Sequence, residues 1–282
     1  MIIDLHSHTT ISDGTLTPSE LLAHAAKQEV DVLALTDHDN VDGLEEAAEA
    51  AKQLGVRLIN GVEISAMWKG QTIHVVALNI DPTHLPLRDG LQKICEYRDW
   101  RAEEIGRRLS KKRIEGAYEG AKSFAKGSLI ARPHFGRFLI AEGYCKDMRE
   151  VFKKYLVRGR PGYVPSKWAE LEDVVSWIIG AGGIPIIAHP ARYRLTAGRL
   201  RTLFAEFKEL GGLGIEVVSS SHSQDECNTM AAHAVRAGLL ASQGSDYHGP
   251  ENQWVELGRL RPMPAGCDVV WESEHWPAEP SV

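Results

Sequence analysis

The chain has 282 residues, of which 43% are hydrophobic and 25% charged, a composition typical of a globular α/β domain with or without a sizeable insertion. No run of about 18 apolar residues and no signal-peptide pattern occurs, so we expect neither a membrane span nor secretion. The four cysteines are scattered without a Cys-x-x-Cys pair, which argues against a disulfide framework or a structural zinc site and favours a reducing cytoplasm.

The first 84 residues alternate between strand and helix patterns. A buried strand is predicted over residues 2–8, and its alternation would put Asp4, His6 and His8 on one face. A helix follows that begins at a capping box in Thr17-Pro18-Ser19-Glu20. The later predicted elements are a strand over 31–36, a helix to about 54, a strand over 56–60, and a hairpin of strands over 61–65 and 72–77. This spacing indicates βαβ units and a parallel sheet.

The segment 85–164 has a different character and is predicted to be an inserted helical subdomain. Helices are expected over 87–113, 135–142 and 148–156, with a glycine-punctuated stretch after the first. From Arg98 to Arg160 the chain has 17 Lys or Arg and 8 Asp or Glu, a net charge of +9, so the remainder carries −15 of the total of −6. Such a basic segment could attract a polyanion or could simply be a solvated helical surface.

The α/β pattern resumes in the final part, 165–282. Helices over 171–180, 197–210 and 225–237 alternate with strands over 184–188, 214–218 and 239–242. The tail from residue 267 has little pattern, and Trp271 and Trp276 are candidates for docking it. We therefore predict one α/β domain built from 1–84 and 165–282, interrupted by the helical segment.

Imidazole and carboxylate groups recur where the predicted strands end. The carboxyl ends of parallel strands lie on one face of a sheet or barrel, where active sites are found. Core histidines are the alternative explanation, but six of the twelve histidines at strand ends favour metal binding. We predict a site for several metal ions built from His6, His8, Asp13, His38, Glu63, His74, His189, Asp246 and His248.

Five motifs together resemble those of a known family. They are Asp4-x-His6-x-His8, Thr36-Asp37-His38, Gly61-Val62-Glu63, Ala188-His189-Pro190 and Gly244-Ser245-Asp246-x-His248. This ordered set resembles the polymerase and histidinol phosphatase (PHP) phosphoesterases of the amidohydrolase superfamily. The resemblance implies an α/β fold, a distorted TIM-like (βα)7 barrel, with a trinuclear metal site.

The resemblance also implies a role for each donor. A first metal would be bound by His6, His8 and Asp246, a second by Asp13, His38 and His248, and a third by His74 and His189, with Glu63 bridging the first and third. The catalytic residues would be Asp13, His38, Asp246 and His248. The mixed nitrogen and oxygen donors suit manganese, iron or zinc, and the resemblance favours three Mn²⁺ ions. A hydroxide bridging two such cations attacks phosphorus at neutral pH, so no Ser or Cys nucleophile is needed.

Within that family, three stretches resemble the members that carry a helical insertion. These stretches are Ile130–Phe135, Val151–Leu156 and Gly159–Val164. The members concerned are nucleoside 3′,5′-bisphosphate phosphatases and enzymes that trim short RNA from the 5′ end. The implied reaction is removal of the 3′-phosphate from a nucleoside 3′,5′-bisphosphate such as 3′-phosphoadenosine 5′-phosphate.

Several basic residues are candidates for holding the phosphate that does not react. Arg132 and His134 are the main ones, because arginine binds phosphate bidentately and His134 lies two residues further on. The weaker candidates are Lys154, Arg160, Arg192 and Arg194. Surface ion pairs and a helix cap are the alternative roles for these residues. Tyr193 and Tyr247 could stack on a base, although structural aromatic residues are commoner.

Three rival functions stay open at this stage. A 5′-to-3′ exonuclease on short RNA would need a channel, whereas a mononucleotide needs only a closed pocket. A histidinol-phosphate phosphatase fits less well, because that substrate carries a cation and the insertion is basic. A non-catalytic metal-binding accessory module is the rival of another class. A nucleotide bisphosphate or short RNA is thus the expected partner, with no membrane or duplex DNA, and the sequence does not define the oligomeric state.

Overall fold

The computed structural model describes residues 1–127 and 129–278. Seven strands form a nearly closed barrel in the order β1-β2-β3-β4-β6-β7-β8, and the short β5 pairs with β3 outside this path. The strands are β1 (Ile3–Asp4), β2 (Val32–Leu35), β3 (Arg57–Trp68), β4 (Gln71–Leu78), β5 (Ala169–Glu170), β6 (Ile184–Ile187), β7 (Gly214–Ser219) and β8 (Leu240–Gly244). This architecture confirms the predicted distorted (βα)7 barrel.

The helices occupy most of the positions that periodicity predicts. They are α1 (Pro18–Lys27), α2 (Leu44–Leu54), α3 (Leu85–Ser110), α4 (Ala117–Phe124), α5 (Arg132–Ala141), α6 (Met148–Val151), α7 (Leu171–Gly180), α8 (Ala197–Glu209) and α9 (Gln224–Ala237). Helix α1 begins at the predicted capping box, in which Glu20 N donates to Thr17 Oγ1 at 3.2 Å and Thr17 N to Glu20 Oε2 at 2.8 Å. No helix in the described part of the chain combines the length and apolarity that crossing a membrane requires.

The barrel is distorted because one strand runs against the others. β4 is antiparallel to both of its neighbours, β3 and β6, whereas the other barrel pairs that form ladders are parallel. The barrel closes between its first and last strands, where Leu5 N donates to Gln243 O at 3.1 Å and Ser7 forms an isolated parallel bridge with Tyr247. The carboxyl ends of β1, β2, β6, β7 and β8 therefore surround one mouth.

The predicted strand boundaries need two corrections. The strand predicted over 56–60 and the first hairpin strand are one continuous strand, β3, because β2 pairs with its first half and β4 with the rest. The regular first strand covers only Ile3–Asp4, and residues 5–8 continue along β8 through irregular backbone hydrogen bonds. Asp4 consequently does not join His6 and His8. Its carboxylate accepts from Ser245 N at 2.8 Å and from Gly258 N at 2.9 Å.

The predicted helical segment contains its own apolar core. One cluster of buried side chains is drawn entirely from residues 102–164, including Leu109, Phe135 and Leu139, each under 1% exposed. Helix α4 was missed by the sequence patterns, and the helix predicted over 148–156 is α6 continued by a π-helical turn over Phe152–Leu156. The boundaries of 85–164 as a separate domain stay a prediction.

Two further clusters build the barrel. One packs strand residues against helices α1, α2 and α7–α9, and the other joins strand residues such as Ile3 and Val76 to Val270. The tail packs on the second of these through Trp271 and Trp276, which are partly buried against it. Docking of the tail by these two tryptophans is therefore observed.

Candidate metal centre

The nine predicted donors meet at the mouth of the barrel. They come from parts of the sequence before and after the helical segment. Before it, the donors lie in residues 5–8, in the loop that follows residue 8, at the end of β2, and in β3 and β4; after it, they lie at the ends of β6 and β8. One close approach at this mouth depends on a missing side chain. A Cβ at Gly244 would lie 2.3 Å from His6 Cβ, so only glycine lets β8 come this close to the first histidine.

Glu63 lies at the centre of the cluster and is completely buried. Its Oε1 is 2.8 Å from His74 Nδ1 and 2.9 Å from His189 Nε2. Its Oε2 is 2.8 Å from His38 Nδ1, 3.3 Å from His6 Nε2 and 3.4 Å from a nitrogen of His8. Burial raises the pKa of Glu63, but the imidazoles of His38, His74 and His6 outweigh it and hold the pKa well below its usual range. The carboxylate is therefore ionised and shared among the imidazoles.

Two aspartates face the same imidazoles from the other side. Asp246 Oδ1 is 3.2 Å from His8 Nε2 and 3.5 Å from His6 Nε2. Asp13 Oδ1 is 3.1 Å from His248 Nε2 and 3.9 Å from His38 Nε2. The carboxylates thus alternate with imidazoles around the mouth.

Distances sort the donors into three groups, each with ligand atoms within 4.8 Å of one another: His8, Asp13, His38 and His248; His6, His8, Glu63 and Asp246; and His38, Glu63 and His74. The predicted allocation to three metals places His6, His8 and Asp246 together and Asp13, His38 and His248 together, as these distances also do. His8 and His38, however, each belong to two groups, and His189 belongs to none of them, although its Nε2 is 2.9 Å from Glu63 Oε1. The assignment of individual ligands stays a prediction.

Buried polar atoms that lack hydrogen bonds indicate that this set of side chains fits divalent cations. Seven buried atoms of the cluster make no hydrogen bond of acceptable geometry with the described residues, although some of them lie 2.8–3.4 Å from one another: His6 Nε2, His8 Nδ1, His8 Nε2, Asp13 Oδ1, His38 Nδ1, Glu63 Oε2 and His189 Nδ1. Buried polar atoms are almost always paired, and each unpaired one costs about 1–3 kcal/mol. Cations bound among these nitrogen and oxygen atoms would satisfy them.

Glu216 contacts two of the predicted metal-binding histidines, His6 and His189, and the sequence patterns did not identify it. This buried side chain on β7 has Oε1 2.6 Å from His6 Nδ1, while Oε2 accepts from His189 N at 2.5 Å. A carboxylate on the far nitrogen fixes the tautomer and ring orientation of a metal-binding histidine. The only signal in the sequence is one acidic residue inside the apolar strand Gly214–Ser219.

Asp37 plays a similar part for the loop that carries Asp13. Its carboxylate accepts from Thr9 N at 2.7 Å, from Thr9 Oγ1 at 2.6 Å and from Ser12 Oγ at 2.6 Å. Because these bonds tie the loop to the end of β2, they set the position of Asp13 relative to His38. Asp37 is part of the motif Thr36-Asp37-His38, but its supporting role is visible only in three dimensions.

The six residues predicted to bind phosphate lie in different surroundings. Arg192 lies at the mouth, where its Nη1 is 2.6 Å from Asp246 Oδ2, and Arg132 is solvent-accessible, with its guanidinium 5.4 Å from the ring of Phe152. His134 is buried and its Nδ1 accepts from Ala131 N at 3.0 Å, capping α5. Lys154 pairs with Glu150 at 2.7 Å on the surface. Arg160 and Arg194 are exposed, and no side-chain partner is seen for them among residues 1–127 and 129–278.

The two tyrosines considered for base stacking are structural. Tyr193 is 8% exposed, and its hydroxyl donates to Ala188 O at 2.8 Å and accepts from His74 N at 2.8 Å. Tyr247 is 1% exposed and stacks on His24 with ring centroids 5.5 Å apart. Neither ring face is open to a nucleobase, so the stacking interpretation is wrong for both.

A nearly closed barrel with imidazoles and carboxylates converging at its mouth is the architecture of a metal-dependent phosphoesterase. The PHP domain matches residues 4–159, and the chain belongs to the PHP family. It is 46% identical over 270 residues to a 3′,5′-nucleoside bisphosphate phosphatase of Chromobacterium violaceum, with 95% of each chain covered. It is 45% identical to the 5′-3′ exoribonuclease Rnm of Escherichia coli, with 96% of this chain and 93% of that one covered.

Two solved structures share the fold. An amidohydrolase from Chromobacterium violaceum, determined with bound sulfate and no metal, superposes with a TM-score of 0.92 at 46% identity, covering 96% of this chain and 95% of that one. A structure from Bifidobacterium adolescentis described as a metal-dependent phosphoesterase superposes with a TM-score of 0.79 at 27% identity, covering 95% and 92%. The fold therefore extends over nearly the whole chain.

Proposed function

We propose that this phosphoesterase removes the 3′-phosphate from nucleoside 3′,5′-bisphosphates, for example from 3′-phosphoadenosine 5′-phosphate to give AMP and phosphate. The observation that carries the proposal is the cluster of buried nitrogen and oxygen atoms around Glu63 that make no regular hydrogen bond, at a mouth where Arg192 also lies. The Chromobacterium violaceum relative, which carries this activity in its name, supports the choice of substrate.

Nine residues would hold three divalent cations, with Mn²⁺ proposed and iron or zinc as alternatives: His6, His8, Asp13, His38, Glu63, His74, His189, Asp246 and His248. Cations in this position supply a deprotonated water at neutral pH and neutralise charge on the phosphate oxygens. The protein's own contribution is orientation. Glu216 fixes the ring of His6, and Arg192 holds Asp246.

Arg132 and Arg192 are the proposed substrate contacts that the geometry favours. Arg192 is 2.6 Å from Asp246, so its remaining donors can reach a phosphate oxygen at the same place. Although part of the Arg132 side chain reaches solvent, burial of its guanidinium by surrounding protein and the charge of Arg98 lower its pKa, and the charge of Asp13 opposes this shift. His134, Arg160 and Arg194 stay secondary candidates, and the ion pair of Lys154 with Glu150 makes it the weakest.

The test is a phosphate-release screen with the Mn²⁺-loaded protein. It compares nucleoside 3′,5′-bisphosphates, nucleoside 5′-monophosphates, a 5′-phosphorylated short RNA, histidinol phosphate and p-nitrophenyl phosphate. We expect the highest kcat/KM for the bisphosphates. Metal content measured before and after chelation identifies the native metal, and His38→Ala is the catalytic control, expected to fold but not to turn over. A preference for histidinol phosphate, or no activity on any ester, would contradict the proposal.

A 5′-to-3′ exoribonuclease acting on short RNA is the second candidate. The Escherichia coli relative bears that name at 45% identity, and the basic helical segment beside the mouth suits a longer polyanion. The two activities differ in their products, because an exonuclease releases nucleotides one at a time from the 5′ end. Incubation of a 5′-phosphorylated RNA labelled at its 3′ end separates them: a ladder of shortened labelled products indicates the exonuclease.

A further inference from the structure

Asp39 is a completely buried residue with an unusual backbone conformation. It directly follows His38 and has φ of 51°, in the left-handed region that residues other than glycine rarely adopt. Such a conformation costs free energy and persists only where the surrounding structure holds it, most often at functional sites. The contacts that hold Asp39 therefore indicate which part of the molecule needs it.

Asp39 is hydrogen-bonded to strand β3 on both sides of Ile64. Its backbone N donates to Glu63 O at 2.9 Å, and its Oδ1 accepts from Ser65 N at 2.6 Å. Because successive side chains of a strand alternate, Glu63 and Ser65 belong to the same face of β3. Asp39 thus fixes the short piece of β3 that carries Glu63 in the metal centre.

Three predicted metal donors lie around this piece of β3. His38 forms an isolated parallel bridge with Glu63, and Ser65 is paired with His74 in the register of β3 with β4. His38, Glu63 and His74 make up one of the three groups of donors. Asp39 therefore follows the first of these donors in the chain, bonds to the second, and bonds to the residue opposite the third.

Helix α3 holds Asp39 from the other side. Arg98 Nε donates to Asp39 Oδ2 at 2.6 Å, and Arg98 Nη2 donates to Ser65 Oγ at 2.8 Å. The thiol of Cys95, one turn earlier on α3, donates to Asp39 O at 3.3 Å. The guanidinium of Arg98 is buried and lies 4.8 Å from the ring of Trp168. Arg98 belongs to the helical segment by sequence, but these charge-assisted bonds fix its geometry on the barrel.

We propose that Asp39 is a positioning residue for the metal ion bound by His38, Glu63 and His74, and that Arg98 acts through it. The inference rests on the metal centre proposed above and goes beyond it, because neither Asp39 nor Arg98 is itself a metal donor. Asp39 sets the direction of Glu63 and its spacing from the two histidines. The ion pair with Arg98 keeps Asp39 in its strained conformation.

The other two groups of donors are positioned by different residues. Asp37 ties down the loop that carries Asp13, and Glu216 contacts His6. Loss of Asp39 should therefore weaken the binding of one metal ion more than that of the others.

Binding of Mn²⁺ to the full-length protein tests the proposal without any substrate. Equilibrium dialysis against graded Mn²⁺, followed by elemental analysis, gives the number of ions per chain and their affinities. Asp39→Asn keeps the size of the side chain, and asparagine tolerates the left-handed region. The affinity for one ion should fall about 10- to 100-fold, as for other residues that support metal ligands, and the rest should change less than about threefold. Equal weakening of every ion, or no weakening, would overturn the proposal.

Three substitutions refine this comparison. Asp42→Asn removes an exposed carboxylate three residues along the same loop, and Asn79→Gly alters another residue with left-handed backbone, φ of 57°, directly after β4. Neither should change the number or the affinity of the bound ions. Asp39→Gly relieves the backbone strain but loses the bonds to Ser65 and Arg98, so it should weaken the same ion as Asp39→Asn. Unchanged binding by Asp39→Gly would remove the role of the side chain.

Substitutions of Arg98 test whether it acts through Asp39. Arg98→Lys keeps the charge but not the planar fork, so it should weaken the same ion less than Arg98→Met does. The double variant Asp39→Asn/Arg98→Met should lose no more affinity than the weaker-binding single variant, because both changes act on one ion pair. Additive losses would show that the two residues act independently. If the methionine variants do not fold, the lysine variants replace them in the same comparison.

Stability and kinetics separate positioning from a purely structural role. A residue needed only for folding would lower the melting temperature and leave the metal affinity of the folded protein unchanged. At limiting Mn²⁺, Asp39→Asn should lower kcat, excess Mn²⁺ should restore it, and KM for adenosine 3′,5′-bisphosphate should change less than about threefold. Selective loss of one ion in a protein that hydrolyses no ester would refute the proposed function and retain the role of Asp39. Normal ion binding by Asp39→Asn in an active phosphatase would do the reverse.

Discussion

The metal centre and the helical segment hold their charged groups in different ways. At the mouth of the barrel, backbone pairing places the donors, as where Asp246 N donates to His6 O at 2.9 Å and His8 N donates to Tyr247 O at 2.8 Å. The helical segment carries its charges on helices around a separate apolar core. Few polar contacts cross to the mouth, among them Lys126 Nζ to Thr15 O at 3.0 Å and Arg137 Nη2 to Asp13 O at 3.3 Å.

This difference suggests a division of labour. Backbone hydrogen bonds hold the strand ends in place, so they suit a reaction that needs fixed charges. The helical segment can vary its surface without disturbing the strands, so it suits selection of the substrate. Changes at the barrel mouth should therefore alter the chemical step for every substrate, whereas changes in the helical segment should alter the ranking of substrates.

The largest effect is expected from Glu63→Gln. The substitution keeps the shape of the side chain but removes the charge that faces five imidazoles. We expect kcat to fall about 1,000-fold or more for all phosphate esters, and the metal bound per chain to decrease. Steady-state kinetics and elemental analysis measure the two effects. Full metal content with normal kcat would show that Glu63 is not a shared ligand.

The next largest effect is expected from breaking the ion pair of Arg98 with Asp39, which joins helix α3 to the barrel. Arg98→Met leaves Asp39 buried without its cation, and loss of one partner of a buried pair costs about 3–5 kcal/mol. Urea unfolding followed by circular dichroism measures the change. Arg107→Met is the control on the same helix, because solvent screens that exposed pair with Glu104 and its loss should change stability little. Similar losses of unfolding free energy for both variants would mean that the buried ion pair stabilises the protein no more than the exposed one does.

The barrel and its donors were predictable because they depend on short-range patterns. Strands such as β2 and β6 are short apolar runs, and the histidine or aspartate that follows them marks the rim, as with Asp37-His38 after β2. What the patterns missed is set by residues far apart in sequence. Glu216 is 210 residues from His6, and nothing near either residue in the sequence reveals the pair. The length of β3 was also missed, because its partners change from β2 to β4 partway along.

Prediction was poorer in the helical segment for a physical reason. Gly116, which has φ of 67°, is the N-cap of helix α4, and the helix contains Gly120, where a Cβ would lie 2.1 Å from the ring of Phe138. Glycine has low helix propensity, so the sequence indicates a loop, but tertiary packing requires glycine there. The charge count likewise predicted a basic surface, whereas Arg98 and Arg101 are buried. Composition gives the sign of a segment's charge but not which side chains are exposed.

Glu216→Gln tests whether residues that only position the predicted metal-binding side chains matter less than those side chains themselves. Glu216 touches no predicted substrate position, but it holds the ring of His6 and the backbone of His189. Loss of such a supporting carboxylate typically costs 10- to 100-fold in metal affinity or activity, so the effect should be smaller than that of Glu63→Gln. Metal titration followed by activity separates weaker binding from a slower reaction, since excess Mn²⁺ should restore much of kcat. Glu206→Gln, on the outer surface beside Trp68, should change neither quantity.

The smallest effect is expected from Lys154→Ala. Lys154 was a candidate for binding phosphate, but its Nζ pairs with Glu150 Oε1 at 2.7 Å, and the side chain is 52% exposed. Because solvent screens such an exposed pair, both stability and KM for the bisphosphate should stay close to wild type. Arg132→Ala in the same helical segment should raise KM for bisphosphates far more than for p-nitrophenyl phosphate. If Lys154→Ala instead matched Arg132→Ala, substrate selection would depend on the summed charge of the segment rather than on arginines placed beside the metal centre.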